Sequence, residues 1–309
     1  MKMTKVVAIV GPTAVGKTAL SIRIAKRFAG EVISGDSMQV YRQLDIGTAK
    51  ITKDEMAGVP HHLIDICDVT ERYSAAMFKQ QATAAIDAIA GRGHLPLVVG
   101  GTGFYLQTLT NNLTLGQDHF DEESAQIRAH WHQLAEERGA AYVRHHLAEL
   151  DPVAEKHIEA GNLRRVIRAL EVIEKTGQRF SNQPHQASPN DYLLIGLTTD
   201  RPVLYDRINH RVDLMVQSGL VNEARWLYDH GGATLPAGKG IGYHEFYPYF
   251  AGDCDLDTVI RKVKQDSRHY AKRQLTWFRN KMDVHWFDLV SGRDDPEQIN
   301  ELVQSWLIK

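Results

Sequence analysis

The 309 residues, 43% hydrophobic and 24% charged, suffice for one large or two moderate globular domains with a sizeable core. A formal net charge of −2 gives no global sign of a polyanion binder, so such a partner has to be held by a local basic face. No apolar run approaches the roughly 20 residues that span a membrane, and two cysteines in no paired or metal-like spacing argue against a disulfide scaffold or zinc site and fit a reducing, cytoplasmic setting.

The N-terminal stretch MKMTKVVAIVGPTAVGKT is not read as a signal peptide, because its apolar run passes straight into a Gly-Lys-Thr turn. Residues 6–10 are apolar and mostly β-branched, which predicts a strand buried on both faces. A glycine turn and a helix over 18–28 follow. Short strands are expected at 31–34 and 62–66, a helix at 73–90 and a buried strand at 95–99, closed by Gly100 and Gly101. Strand and helix alternating at this spacing predict a parallel sheet with helices on both faces. After about residue 112 the pattern changes. Residues 121–177 have helical periodicity, strongest over 163–173, and 182–190 is a Pro-, Asn- and Ser-rich linker. Strand character returns at 192–197. Helices are expected over 203–230, 258–278 and 297–307, with a late strand at 284–287. The expected fold is α/β: a P-loop NTPase-like parallel sheet core, 1–112 and 190–309, with a mostly helical insertion domain, 113–189.

Gly11, Pro12, Thr13, Ala14, Val15, Gly16, Lys17 and Thr18 match G-x-x-x-x-G-K-[ST] between a strand and a helix, the context this motif requires. Backbone N–H groups and the positive helix end point at a phosphate. Lys17 would reach the outer phosphate, and the Thr18 hydroxyl would hold Mg²⁺. The motif names a phosphate, ATP or another di- or triphosphate, and not a reaction. The next strand runs into Asp36, Ser37, Met38 and Gln39, at the same carboxyl edge of the sheet. Three roles for Asp36 stand open: Mg²⁺ ligand, helix N-cap, or general base toward an acceptor. Gly100-Gly101-Thr102-Gly103 follows another strand and offers backbone N–H groups and the Thr102 hydroxyl to that edge.

Residues 261–281 hold eight Lys or Arg and one acid, Asp266. Arg261, Lys264, Arg268 and Lys272 recur at spacings of three and four, so they share one helical face. A single-signed face with aromatics interleaved points to a nucleic-acid backbone, against the alternative of a solvated helix. Arg164, Arg165 and Arg168 form a second cluster, with Glu171 and Glu174 available as intrahelical partners. Arg207 and Arg211 share a face, and either could reach the phosphate crevice or simply pair with Asp206 or Asp213. The histidines, His61-His62 and His145-His146 among them, are read as structural or surface residues.

GPTAVGKT, SGDSMQVYR with Gly47-Thr48-Ala49-Lys50, VVGGTGFY, RRVIRALE, Gly240-Ile241-Gly242-Tyr243 and YAKRQLTWFR, in this order and over nearly the whole chain, resemble the tRNA dimethylallyltransferase family. The resemblance implies transfer of the dimethylallyl group of dimethylallyl diphosphate to the exocyclic N6 of the adenosine 3′-adjacent to a tRNA anticodon. It assigns the catalytic aspartate to Asp36 and the glycine-flanked threonine to Thr102. Its tRNA contacts fall on Asp36, Ser37, Met38, Gln39 and Thr102, on Arg164, Arg165, Val166, Ile167 and Arg168, and on Arg128; the basic helix adds Arg268, Lys272 and Arg273. Lys17 and Arg211 complete the expected catalytic set, with Mg²⁺ as cofactor and the anticodon stem-loop as partner of a monomeric, cytoplasmic enzyme without membrane contact. The sequence departs from the family at 159–162, usually acidic or prolyl, and at His244, usually basic. A small-molecule or nucleotide kinase would suit the P-loop and the insertion but leaves the basic helix unexplained. A nucleotide-gated RNA-binding module explains that helix but not Asp36.

Overall fold

The computed structural model describes residues 3–113, 115, 121–182 and 187–309. Contacts divide the chain into two compact units, Met1–Asn112 with Ser188–Lys309, and Leu113–Ala187. Residues 183–186 of the expected linker lie outside the described residues.

In chain order the first unit begins with β1 (Thr4–Val10), α1 (Lys17–Arg27), β2 (Gly30–Ser34), the short α2 (Lys53–Met56), β3 (His61–His62), α3 (Ala75–Gly91), β4 (Leu95–Gly100) and α4 (Gly103–Thr110). The second unit holds α5 (Glu122–Arg138), α6 (Ala140–Leu150), α7 (Pro152–His157) and α8 (Leu163–Thr176). The first unit resumes with β5 (Asn190–Leu197), α9 (Arg201–Gln217), α10 (Leu220–Asp229), α11 (Tyr247–Ala251), α12 (Leu256–Lys281), β6 (His285–Phe287) and α13 (Pro296–Ile308). No described helix is long and apolar enough to cross a membrane.

The six strands form one parallel sheet in the order β3-β2-β4-β1-β5-β6. Alternation along β1 sorts its side chains: Val7 and Ile9 enter a core with Leu20 and Ile24 of α1, Leu204 of α9 and Ile299 of α13. Val6, Ala8 and Val10 enter the opposite core, with Phe78 and Ile86 of α3, Leu106 of α4 and Phe278 of α12. A strand covered on both faces is apolar at every position, which is why this one reads as a continuous run. A third core, away from the sheet, packs Val40 and Leu44 against Val212, Leu220, Tyr243, Phe246 and Val263.

Two expected elements are shorter than their pattern. The strand expected over 62–66 ends at His62, because Leu63 and Asp65 take φ of 61° and 55°, which no extended strand accommodates. The helical stretch expected over 203–230 is cut at Gly219, φ +107°, into α9 and α10. By contrast α12 extends to 26 residues, capped by the Asp255 carboxylate, which accepts the Thr258 N–H.

In the second unit Trp131, Val143, Leu147, Ile158, Val166, Ile167 and Leu170 form the core. Asp151 joins α7 to the segment after α8: its carboxylate accepts the Ala154 N–H and both the N–H and the hydroxyl of Ser181. Glu171, on the buried side of α8, is met by Arg128 at 2.8 Å and Arg168 at 2.7 Å.

Candidate active site

The first unit contains a cavity of about 780 Å³ at the carboxyl edge of the sheet. Lys17, Thr18, Asp36, Gln39, Arg211 and Arg273 are among its lining residues. This edge is where an open parallel sheet places its ligands.

The P-loop forms its floor. Gly16 sits at φ +93°, a conformation that side chains resist, and α1 starts at Lys17. The Lys17 ammonium donates to the carbonyls of Gly11 at 3.0 Å and Pro12 at 2.6 Å. Burial, then the charge of Arg211, lower Lys17 from 10.5 to about 8, while Asp36 opposes the shift. Thr18 is exposed on the cavity side of the turn. Arg207 and Arg211 divide their work. The Arg207 Nε donates to the Ala14 carbonyl at 2.8 Å, behind the loop, whereas Arg211 lines the cavity with its guanidinium 3.4 Å from the Thr13 hydroxyl.

Asp36 follows β2, across the cavity. Its Oδ1 accepts the Met38 N–H at 2.8 Å, and the Gln39 N–H also reaches the carboxylate. The chain after Asp36 makes turns and no helix, so the N-cap role is corrected to a turn cap. Burial raises the Asp36 carboxyl above its ordinary 3.8, with the N–H donors and Lys17 pulling the other way. The Thr102 hydroxyl accepts the Ser37 N–H at 3.1 Å, tying the turn after β4 to the turn after β2. Met38 and Gln39 line the cavity beside them.

Two further cavity-lining residues make contacts that the sequence does not announce. Gln274, in the middle of α12, accepts the Thr13 N–H on Oε1 at 3.1 Å and donates from Nε2 to the Gly101 carbonyl at 2.9 Å. Tyr270, one turn earlier, also lines the cavity, and burial followed by the Asp36 charge pushes its phenol up to about 12. Both fall inside YAKRQLTWFR, so the motif held the signal while the charge count drew attention to its arginines.

The basic helix is less uniform than its spacing. Lys264 pairs with Asp213 of α9 at 2.6 Å, and the Arg268 guanidinium donates to Asn209 at 2.6 Å beside the Tyr205 ring. These two face α9, which the helical wheel cannot show. Arg261, Lys272 and Arg273 stay exposed, and Arg273 lines the cavity. In the second unit Arg164 and Arg165 are exposed at the start of α8, whereas Arg128 and Arg168 are half-buried on Glu171. Val166 and Ile167 are corrected as nucleic-acid contacts: at 2% and 1% exposure their side chains belong to the core, and apolar residues on that face of α8 are what hold the helix in place.

A family model described as IPP transferase matches residues 39–281. A tRNA dimethylallyltransferase of Limosilactobacillus reuteri (strain DSM 20016) is 67% identical over 307 residues, 99% of this chain and 100% of the relative. The crystal structure of the full-length tRNA isopentenylpyrophosphate transferase from Bacillus halodurans is 50% identical, with a TM-score of 0.72 over 97% of this chain and 94% of that one. A eukaryotic dimethylallyltransferase acting on tRNA, seen in crystallographic snapshots, is 30% identical with a TM-score of 0.81 over 97% of this chain and 78% of that one. With P-loop, aspartate turn and glycine-threonine turn on one sheet edge, and this identity along nearly the whole chain, the protein belongs to the tRNA dimethylallyltransferase family.

Proposed function

We propose that the chain moves the dimethylallyl group of dimethylallyl diphosphate onto the exocyclic N6 of the adenosine 3′-adjacent to a tRNA anticodon, releasing diphosphate. The observation that carries this is the placement of Asp36 and Lys17 on the walls of one cavity, a proton acceptor facing a phosphate cradle.

The adenine amine is a weak nucleophile because its lone pair is delocalised into the ring. As its nitrogen attacks the allylic carbon and the carbon–oxygen bond to diphosphate breaks, Asp36 takes the N6 proton and so lowers the barrier. Its turn supports that role: N–H donors from Met38 and Gln39 orient the carboxylate. Charge gathers on the leaving diphosphate, where Lys17, Arg211 and the P-loop N–H groups stand to receive it. Lys17 exchanges its contacts with the Gly11 and Pro12 carbonyls for phosphate oxygen. Thr102 holds the acceptor side through the Ser37 N–H, and Tyr270 lines the cavity with Asp36.

Mg²⁺ is the proposed cofactor. Hard oxygen donors suit it: the Thr18 hydroxyl and the Asp36 carboxylate both line the cavity, and Mg²⁺ takes few protein ligands beside water and phosphate oxygens. Bound there, it would neutralise charge on the diphosphate. Asp36 cannot accept the N6 proton while bound directly to metal, so Thr18 would be the protein ligand.

The target base lies in a stacked loop and is extruded to reach the cavity. Exposed Lys272 and Arg273 in the first unit, and Arg164 and Arg165 in the second, are proposed to hold the anticodon stem-loop backbone, with Arg128 and Arg168 fixing α8 through Glu171. We place the enzyme in the cytoplasm as a monomer.

Incubation with unmodified tRNA and labelled dimethylallyl diphosphate, then with ATP and small acceptors, tests the reading. Label transferred to tRNA only in the first mixture supports it. Phosphoryl transfer from ATP with no labelled tRNA would favour a kinase instead.

A further inference from the structure

The loop behind Asp36 is held by a residue that no motif marks. Glu223 lies on α10 (Leu220–Asp229). Its Oε2 accepts the N–H groups of Asp45 and Ile46, each at 2.8 Å; its Oε1 accepts the Gly47 N–H at 2.9 Å and the Tyr243 hydroxyl at 2.7 Å. Three successive backbone N–H groups converging on one carboxylate form an anion-binding turn, filled here by the protein's own side chain. Such charge-assisted bonds are roughly twice as strong as neutral ones.

Tyr243 completes the clamp. It is fully buried, and a Cβ at position 47 would come 2.6 Å from its ring, so only glycine lets the turn lie against it. Burial and the neighbouring Glu223 charge keep its phenol protonated and donating.

The other side of the same turn leads back to Asp36. The Gln39 side-chain amide donates to the carbonyls of Thr48 at 3.2 Å and Ala49 at 3.3 Å, while its oxygen accepts the Ser34 hydroxyl at 3.0 Å. The Gln39 backbone N–H reaches the Asp36 carboxylate. Glu223 and the Gln39 side chain thus hold the same turn, one by its N–H groups and the other by its carbonyls, and the Gln39 backbone leads back to Asp36. Gly47, Thr48, Ala49, Gln39 and Asp36 all line the cavity, and Glu223 does not.

We propose that Glu223 is a positioning residue for prenyl transfer, setting the wall that carries Asp36 and Gln39 without touching the phosphate cradle. This rests on the function proposed above. A wall misplaced by a fraction of an ångström costs the chemical step, while diphosphate, held by Lys17 and Arg211, binds as before.

The experiment compares Glu223→Ala, Glu223→Gln and Tyr243→Phe, each also combined with Asp36→Asn. Glu223→Ala should lower kcat about 10- to 100-fold, with KM for dimethylallyl diphosphate within about twofold. Glu223→Gln should recover part of the loss, because its remaining oxygen still accepts. In the Asp36→Asn background Glu223→Ala should cost less than about threefold, since the group it positions is gone. Hydrogen exchange at the amides of 45–47 should speed up in step with the kcat losses. Normal kcat in Glu223→Ala, or an equal loss in both backgrounds, would overturn the proposal. Should the alanine variant fail to fold, unchanged kcat in both Glu223→Gln and Tyr243→Phe would overturn it. If the wild-type protein transfers no prenyl group, the functional reading falls, and amide exchange at 45–47 still decides whether Glu223 holds the loop.

Discussion

The Gln274 side-chain oxygen accepts the Thr13 N–H at 3.1 Å, so the centre of α12 sets the position of the P-loop. The same amide donates to the Gly101 carbonyl, so one side chain, 4% exposed, ties the P-loop to the turn after β4.

Replacing Gln274 by alanine should cost about 1–3 kcal/mol for each group it orphans, read as a fall in the urea midpoint. Gln274→Glu keeps the shape but turns an acceptor toward the Gly101 carbonyl, and should cost at least as much. Because Thr13 is on the P-loop, KM for dimethylallyl diphosphate should rise in both variants. Unchanged KM in both would remove Gln274 from the phosphate site.

Gly103 opens α4 directly beneath α12: a Cβ there would come 2.3 Å from the Trp277 ring. Gly103→Ala should destabilise by about 1–3 kcal/mol through overpacking. A thermal melt equal to that of wild type would show that α12 can move aside.

The pH profile follows from the two cavity charges. Asp36 acts when deprotonated, and burial raises its carboxyl, so the acid limb of kcat/KM should lie above the ordinary carboxylate range. Lys17 acts when protonated, so activity should decline as pH passes about 8. Lys17→Arg should move the alkaline limb upward, and Asp36→Asn should abolish the acid limb. Stability has its own sign. Folding lowers Lys17 from 10.5 to about 8, so the unfolded chain binds more protons between those values. The charged lysine therefore costs stability fully below about 8, and the cost fades as pH rises toward 10.5. Lys17→Met should be more stable than wild type at neutral pH and equal to it above 10.5, as measured by denaturant titration.

Neutralising Lys272 and Arg273 should weaken tRNA binding and reduce the salt slope by about one per lost phosphate contact. Lys264→Gln should leave that slope unchanged, because Lys264 is paired with Asp213. Equal slopes for all three variants and wild type would leave the exposed face as a solvated one.

The sheet and its phosphate edge were legible because their signals are local. Residues 6–10 are apolar at every position, and the P-loop is a contiguous string whose backbone geometry follows from its glycines. The short β3 was not legible, because Leu63 and Asp65 adopt positive φ although nothing in their residue types demands it. Val166 and Ile167 were misplaced because a motif marks a stretch of helix, whereas contact depends on which side of α8 a residue occupies. Lys264 and Arg268 were over-read for the same reason: their partners lie on α9, dozens of residues away in sequence. Gln274 and Glu223 act through backbone groups of distant turns, and a backbone N–H leaves no trace in a residue string.

Asp36→Asn tests the account at its centre, since it keeps the turn's shape and removes the proton acceptor. Single-turnover prenylation with saturating tRNA and dimethylallyl diphosphate, at two Mg²⁺ concentrations, should show a rate lowered about 10²–10⁴-fold at both, with either substrate's affinity little changed. Rescue by high Mg²⁺ with weakened diphosphate binding would make Asp36 a metal ligand, and a variant with full activity would contradict general-base catalysis by Asp36.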